Sequence, residues 1–163
     1  MDDVRIGFGY DSHRFGAGRR LVLGGVEIPG EDGLVGHSDA DAVMHATIDA
    51  ILGATGLGDI GTRFPEGDSL WKDADSAEML AVVVAEARAA GWTAVNVDVT
   101  VICEKPRIAP YAAAMRARLA GILGVDAGCV SVKGKTNEKM DDVGAGLGIE
   151  VHAVCLLRKG KEK

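Results

Sequence analysis

Aromatic side chains are scarce in this sequence, and so are several features that mark particular classes of protein. Aromatic residues make up 4% of the 163 residues, and a net charge of −6 leaves no basic excess for nonspecific nucleic-acid binding. No apolar run approaches the roughly 20 residues that a membrane span needs. The N-terminus also lacks the basic start and apolar core of a secretion signal. We therefore expect neither nucleic-acid nor membrane partners.

Cysteine is rare as well, and its placement argues against a disulfide framework. The three cysteines, Cys103, Cys129 and Cys155, are odd in number, far apart and set in apolar, strand-like runs. This pattern matches neither a disulfide-rich fold nor a CxxC zinc site. We expect three small buried side chains in a protein of the reducing cytoplasm.

Apolar residues and glycines are plentiful, and their distribution predicts one folded domain. Apolar residues make up 47% and charged residues 26% of the sequence, as in ordinary globular proteins. The length suits a single domain over residues 1–163, with residues 158–163 as a solvated tail. The 23 glycines indicate many positions where the backbone turns sharply or approaches another segment closely.

Hydrophobic periodicity predicts the element order β-β-α-α-β-α-β-β. Alternation is clearest over residues 93–103, where valines at every second position from Val95 to Val101 share one face and polar residues share the other. We expect a helix over about residues 39–57, capped by Ser38 or Asp39, and long loops over residues 58–76 and 136–147. The other predicted strands cover residues 4–10, 20–29, 129–133 and 149–157, and the other helices residues 77–90 and 111–123. The expected fold is α+β, with helices on one face of a mostly antiparallel sheet whose polar face meets water or another subunit.

A possible metal site is suggested by the segment GYDSH. Asp11 and His13 lie two residues apart on the first predicted strand, so both side chains can face one point. On the first helix, Asp41, His45 and Asp49 recur at every fourth position and form a polar stripe. Asp11, His13 and His45 would make the kind of three-ligand set that holds catalytic zinc, and the other two aspartates could orient ligands or contact substrate. Spacing alone leaves a solvated helix face and a polar strand end open, because the strand and helix need not meet.

A second polar group follows the strand at residues 129–133, in SVKGKTNEKMDD. Its basic and hydroxyl-bearing side chains could hold phosphates, and Glu138 could share a hard cation such as magnesium with them. A solvated surface loop has the same composition. The segment VICEKPRIAP predicts a rigid turn, whose backbone groups could contact a nucleobase edge or simply connect a strand to a helix.

Taken in order, these motifs resemble the family of 2-C-methyl-D-erythritol 2,4-cyclodiphosphate synthases, which belongs to the non-mevalonate isoprenoid pathway. The resemblance runs nearly end to end, through GYDSHRF, LGGVEIP, GHSDADAVMHATIDAILGA, GDIGTRFP with the following DADS, NVDVTVICEKPRIAP and VKGKTNEKM. It implies a phosphorus–oxygen lyase that converts 4-diphosphocytidyl-2-C-methyl-D-erythritol 2-phosphate to the 2,4-cyclodiphosphate and CMP. It also implies a homotrimer with its sites in clefts between subunits.

The resemblance implies metal ligands at the positions that match. Asp11, His13 and His45 match the family's zinc ligands, with one zinc per subunit. Glu138 matches a ligand of a second cation, magnesium or manganese, which binds together with the substrate phosphates.

Catalytic and substrate-binding positions follow from the same resemblance. His37, Asp49 and Thr136 match catalytic positions. The family contacts the ribose at Asp59 and Gly61, the substrate through a mobile loop at residues 64–68, and cytosine at residues 103–109. The matching substrate contacts are His37, Ser38, Asp59, Ile60, Gly61, Phe64, Pro65, Glu66, Gly67, Asp68, Cys103, Pro106, Arg107, Ile108, Ala109, Lys135, Thr136, Asn137 and Glu138.

The chain departs from the common family pattern at Asp142 and Ala145, where many members have an aromatic residue and an arginine. In the family these positions line the central cavity of the trimer, where binding of a hydrophobic diphosphate has been proposed. We do not expect such binding here. Some relatives are fused to the preceding cytidylyltransferase, whereas the length of this chain predicts a monofunctional protein.

Two other functions stay open on the sequence. A phosphohydrolase with the same zinc ligands would activate water and form no cyclic product. A non-catalytic nucleotide-binding trimer would tolerate the loss of His45.

Overall fold

The computed structural model describes residues 3–160, and these form a five-stranded sheet with helices packed on one face. The strands are β1 (Val4–Gly16), β2 (Leu21–Leu23), β3 (Val26–Ile28), β4 (Gly33–Leu34), β5 (Trp92–Ile102), β6 (Val130–Lys135) and β7 (Gly148–Lys159). The helices are α1 (Ala42–Thr55), α2 (Ile60–Arg63), α3 (Ser76–Ala89), α4 (Ala112–Leu123) and α5 (Asp141–Gly144), with 3-10 turns at Ser69–Trp71 and Ala127–Cys129.

The sheet order is β4-β1-β7-β5-β6, and β5 and β6 are the one parallel pair among the described strands. This confirms the predicted α+β class and its mostly antiparallel sheet. No helix within residues 3–160 has the length and apolarity needed to cross a membrane.

The core lies between the sheet and its helices, and strand alternation sorts side chains toward it or away from it. Val97, Val99 and Val101 of β5 are buried, as their spacing predicts. Val95 was expected beside them but is only half-buried, because a bulge between Ala94 and Asn96 interrupts the pairing with β7.

The predicted strand over residues 20–29 is instead a hairpin of β2 and β3, which form a separate two-stranded sheet. Gly24 and Gly25 make its turn with φ angles of +59° and +70°. Two successive positive φ angles are what a two-residue hairpin turn needs, and glycine adopts them without strain.

Several predicted boundaries also differ from the structure. β1 continues to Gly16, so Asp11 and His13 lie within the strand. The loop over residues 58–76 contains α2 and a 3-10 turn, and the loop over residues 136–147 contains α5. Residues 158 and 159 belong to β7 with exposed side chains, and residues 161–163 of the predicted tail lie outside the described part.

The cysteines follow the prediction in two of three cases. Cys103 and Cys155 are buried, whereas Cys129 is half-buried because it ends a 3-10 turn before β6. All three are free thiols.

Candidate functional site

Three side chains from two elements converge at one point between the sheet and α1. Asp11 and His13 project from β1 toward the helices, and His45 projects from the first turn of α1. Asp11 Oδ2 lies 2.9 Å from His13 Nε2 and 3.0 Å from His45 Nδ1, and these two nitrogens are 3.3 Å apart. One oxygen and two nitrogens so close together can bind a single metal ion.

Two glycines of β1 allow this convergence. A Cβ atom at Gly7 would overlap the carbonyl oxygen of Ala50, and one at Gly9 would overlap that of Ala46. The helix backbone therefore rests directly on the strand backbone. This close contact brings His45 level with the strand residues that follow Gly9.

The far nitrogen of each imidazole faces a hydrogen-bond acceptor. His13 Nδ1 lies 2.8 Å from the carbonyl oxygen of Val35, and His45 Nε2 lies 2.8 Å from Ser76 Oγ. A carbonyl oxygen can only accept, so His13 donates from Nδ1 and directs the lone pair of Nε2 at the convergence point. Metal-binding histidines are commonly oriented by such bonds.

The two imidazoles also keep Asp11 ionised. Burial disfavours the carboxylate of Asp11, but the adjacent imidazoles of His13 and His45 lower its pKa to about 2. Burial likewise opposes protonation of His13, yet Asp11 raises the pKa of that ring. Asp11, His13 and His45, the metal-ligand cluster, offer one carboxylate oxygen and two imidazole nitrogens, a donor set that suits zinc better than magnesium.

The three converging side chains form part of the wall of a cavity of about 480 Å³. The rest of the wall comes from the segment before α1, from α2 and the residues just after it, and from Trp71 and Met79. These residues are Val35, Gly36, His37, Ser38, Ile60, Gly61, Phe64, Glu66, Trp71 and Met79.

A second cavity, of about 300 Å³, lies between the loop after β5 and the end of β6. The Lys105–Pro106 peptide bond in this loop is cis. Cys103 donates a hydrogen bond to the Pro106 carbonyl, and burial raises the pKa of its thiol to about 11. The lining residues are Cys103, Glu104, Pro106, Arg107, Ile108, Ala109, Gly134, Lys135 and Thr136, and none of them lines the first cavity.

The sequence profile of the YgbB family matches residues 4–158. The chain belongs to the YgbB family. A 2-C-methyl-D-erythritol 2,4-cyclodiphosphate synthase from Neisseria meningitidis is 55% identical over 157 residues, which cover 96% of this chain and 98% of that protein.

This YgbB-family chain is also similar in structure to solved proteins. IspF from Plasmodium falciparum, solved as a CDP complex, matches with a TM-score of 0.85 and 34% identity over 99% of both chains. The bifunctional IspDF from Campylobacter jejuni matches with a TM-score of 0.94 and 36% identity. That match covers 98% of this chain and 43% of the bifunctional one.

Most predicted contacts of the N-terminal half surround the first cavity of the YgbB-family chain. His37, Ser38, Ile60, Gly61, Phe64 and Glu66 line it directly. Pro65, Gly67 and Asp68 are exposed in the turn after α2 and do not line it. Asp68 instead caps the following 3-10 turn, while its carbonyl oxygen lies 3.4 Å from His37 Nε2.

Two predicted aspartates hold α2 in place. Asp49 Oδ1 accepts the Ile60 N–H at 2.7 Å, and Asp59 Oδ1 accepts the Thr62 N–H at the same distance. Burial, aided by the charges of Asp59 and Asp11, raises the pKa of the half-buried Asp49. The bond from Thr62 lowers the pKa of the exposed Asp59.

The predicted phosphate-binding residues do not line the cavity of the metal-ligand cluster within this chain. Thr136 lines the second cavity and donates to Glu138 Oε1 at 3.0 Å. Asn137 donates to Asp141 at the start of α5. The structure therefore divides the predicted site into two separate parts.

Asp41 does not belong to the polar stripe predicted on α1. It is the N-cap of the helix, in place of the predicted Ser38 or Asp39, and its side chain is buried against the β2–β3 turn. An N-cap side chain folds back onto the first N–H groups of its helix, so it does not share the direction of residues four positions on.

The sequence predicts no role for five residues that contact the cluster or its cavity: Val35, Gly36, Trp71, Ser76 and Met79. Val35 acts through its carbonyl oxygen, for which a sequence has no signal. Ser76 ends the DADS segment, whose only signal in the sequence is its place in a family motif.

Proposed function

We propose that this chain is a 2-C-methyl-D-erythritol 2,4-cyclodiphosphate synthase of the non-mevalonate isoprenoid pathway. It converts 4-diphosphocytidyl-2-C-methyl-D-erythritol 2-phosphate to the cyclic diphosphate and CMP. Family membership, the name of the 55%-identical relative and related structures with CDP bound support the proposal. The observation that carries it is the convergence of Asp11, His13 and His45 in a cavity wall.

Zinc is the ion we propose for this cluster, one per subunit. The carboxylate and two imidazoles supply three ligand atoms, and the cavity leaves room for a substrate oxygen as the fourth. When bound, zinc would neutralise charge on the β-phosphate and make it a better electrophile. The protein's part is to hold His13 by Val35 and to keep Asp11 ionised.

The reaction needs no nucleophile from the protein, because the 2-phosphate of the substrate attacks the β-phosphate of its own diphosphate. Cys103, a buried thiol with a pKa of about 11, is unsuited to that role. Positioning and electrostatic stabilisation supply most of the catalysis of phosphoryl transfer. We assign His37 and Ser38 to the diphosphate and methylerythritol side, and Asp49 to the methylerythritol hydroxyls.

The second cavity is proposed to bind the cytidine end of the substrate. Backbone groups of residues 103–109 would contact cytosine, and Asp59 and Gly61 would contact the ribose. Lys135, Thr136 and Asn137 would hold the phosphates. Glu138 has an exposed carboxylate, which suits a hard cation such as magnesium or manganese shared with phosphate oxygens. When bound, that cation would stabilise the departing CMP.

A homotrimer would bring the two cavities together at subunit boundaries. The sheet face turned away from the helices exposes large apolar side chains along β1. Val4 is 53%, Ile6 73%, Phe8 60% and Tyr10 44% exposed. A continuous apolar face of this kind normally meets another protein surface. We propose that three copies pack through this face, without nucleic-acid or membrane partners.

We also propose a cytoplasmic location and one catalytic domain over the whole chain. The free cysteines fit a reducing compartment.

Phosphorus NMR tests the proposed reaction. We expect purified protein with magnesium to convert the substrate to cyclic diphosphate and CMP. Replacing His45→Ala should lower turnover at least about 100-fold, since it removes one metal ligand. Thr55→Ala is the control, because Thr55 ends α1 and its hydroxyl bonds only backbone carbonyls of its own helix. Zinc content is measured on all three samples.

The products separate the remaining functions. Linear hydrolysis products would identify a phosphohydrolase. A zinc-loaded trimer with no turnover would identify a nucleotide-binding protein and reject the synthase.

A further inference from the structure

The outer side of His45 contacts two serine hydroxyls in the protein interior. Its Nε2 atom, which points away from the metal-ligand cluster, lies 2.8 Å from Ser76 Oγ and 3.1 Å from Ser38 Oγ. Ser76 is fully buried and Ser38 is 5% exposed. Ser76 takes no direct part in the proposed reaction.

Asp39 fixes the direction of the hydrogen bond between Ser76 and His45. The Ser76 hydroxyl donates to Asp39 Oδ1, and the Ser76 N–H donates to Oδ2 at 3.2 Å. A carboxylate only accepts, so the single hydroxyl proton of Ser76 is used on Asp39. Ser76 Oγ can then only accept from His45. Without a proton on Nε2, that nitrogen and Ser76 Oγ would face each other at 2.8 Å with only lone pairs between them. The ring therefore carries its proton on Nε2, whichever way the Ser38 hydroxyl turns, and presents the lone pair of Nδ1 to the cluster.

We propose that Ser76 and Asp39 are positioning residues that hold His45 in its metal-binding tautomer and orientation. The inference rests on the proposed metal site and goes beyond it, because neither residue reaches the substrate or the ion. Asp39, Ser76 and His45 form a chain from a carboxylate through a hydroxyl to an imidazole. Removing such an outer partner typically weakens metal binding about 10- to 100-fold.

The backbone around the pair makes it rigid before any ion binds. The Asp39 N–H donates to the Ala74 carbonyl at 3.1 Å, and the Asp73 N–H donates to the His37 carbonyl at 2.9 Å. These bonds join the segment before α1 to the segment before α3. The hydroxyl of Ser76 is therefore held in place before an ion binds. His45, which this hydroxyl orients, then loses little conformational entropy when it binds the metal.

The test compares zinc affinity and the visible spectrum of bound cobalt(II) in wild type and Ser76→Ala. We expect the variant to bind zinc 10- to 100-fold more weakly, measured by competition with a chromophoric chelator. The cobalt d–d bands should also shift, because the loss of the acceptor changes the basicity and angle of His45. A purely structural role would leave those bands unchanged in folded protein.

Two further variants keep the test decisive. Thr47→Val is the matched control, because it removes a buried hydroxyl from α1 that bonds only to Val43. It should keep wild-type affinity and bands. Asp39→Asn keeps one oxygen to accept from the Ser76 hydroxyl but loses the charge and the acceptor of the Ser76 N–H, so its affinity should fall between wild type and Ser76→Ala. If Ser76→Ala does not fold, Asp39→Asn alone tests the positioning role.

The outcomes distinguish this inference from the proposed function. The positioning role alone is overturned if wild-type protein converts the substrate while Ser76→Ala and Asp39→Asn bind zinc within twofold of wild type and show unchanged cobalt bands. Wild-type protein that binds neither zinc nor cobalt overturns both proposals.

Discussion

The carboxylate of Asp41 is fully buried and accepts four backbone N–H bonds. Two come from Gly24 and Gly25 in the hairpin turn at 2.8 and 2.7 Å, and two from Val43 and Met44 at 3.1 Å. Burial raises its pKa to about 6, although the N–H donors favour the charged form, so it is ionised at neutral pH. This one residue ties the hairpin to the start of α1.

We predict that Asp41→Asn lowers the free energy of unfolding by about 2–4 kcal/mol at neutral pH. The amide can accept through one oxygen, but its NH₂ group would face an N–H donor left without a partner. Urea denaturation followed by circular dichroism measures the loss. Asp75→Asn is the control, because Asp75 caps α3 by a single bond to Ala77 and asparagine caps equally well. Equal losses in the two variants would contradict the special role of Asp41.

At the scale of elements, the position of α1 on β1 decides whether a metal site exists. The sequence indicated that Asp11 and His13 share a face, and that prediction is confirmed. It could not show that His45 reaches them, because spacing along one chain contains no information about the distance between a strand and a helix. The glycines at positions 7 and 9 were the available signal, since two such gaps on one strand face indicate a close backbone approach.

We predict that Gly9→Ala destabilises the fold by about 3 kcal/mol or more, because the new methyl group would overlap the Ala46 carbonyl and displace α1. Zinc affinity should fall with it as His45 moves away from Asp11. Thermal unfolding and chelator competition measure the two effects. Gly53→Ala is the control on α1, the helix that Gly9→Ala would displace. A Cβ atom at Gly53 meets only the carbonyl oxygen of Phe8, at 3.9 Å. Gly53→Ala should be neutral or stabilising by up to about 1 kcal/mol, and a loss comparable to that of Gly9→Ala would count against the close-contact explanation.

Long, periodic elements were predictable and short ones were not. The sequence located α3, α4, β5 and β7 to within a few residues. It missed α2 and α5, which have four residues each and depend on contacts such as the bond from Ile60 to Asp49. Helices this short have no stability of their own in water, so no local sequence pattern predicts them.

At the scale of the whole molecule, the proposed site is incomplete in one chain. The metal-ligand cluster and the loop over residues 103–109 line different cavities, and Glu138 neither belongs to that cluster nor lines its cavity. The family resemblance supplied the roles of these residues, because nothing in their spacing relates one cavity to the other. In the proposed trimer the two cavities meet between subunits, and a single sequence encodes such an assembly in no local pattern.

We predict that Phe8→Glu, on the outward face of β1, converts the proposed trimer to monomers at micromolar concentration. Phe8 is 60% exposed in the single chain, and three glutamates brought together in an apolar interface would repel one another. Light scattering after size-exclusion chromatography measures the mass. Turnover should be lost while zinc affinity stays within about threefold, because all three metal ligands come from one chain. Leu57→Glu adds the same charge at an exposed apolar position after α1, away from the sheet face, and should leave a trimer. Monomers that still make the cyclic diphosphate would show that one chain holds a complete site.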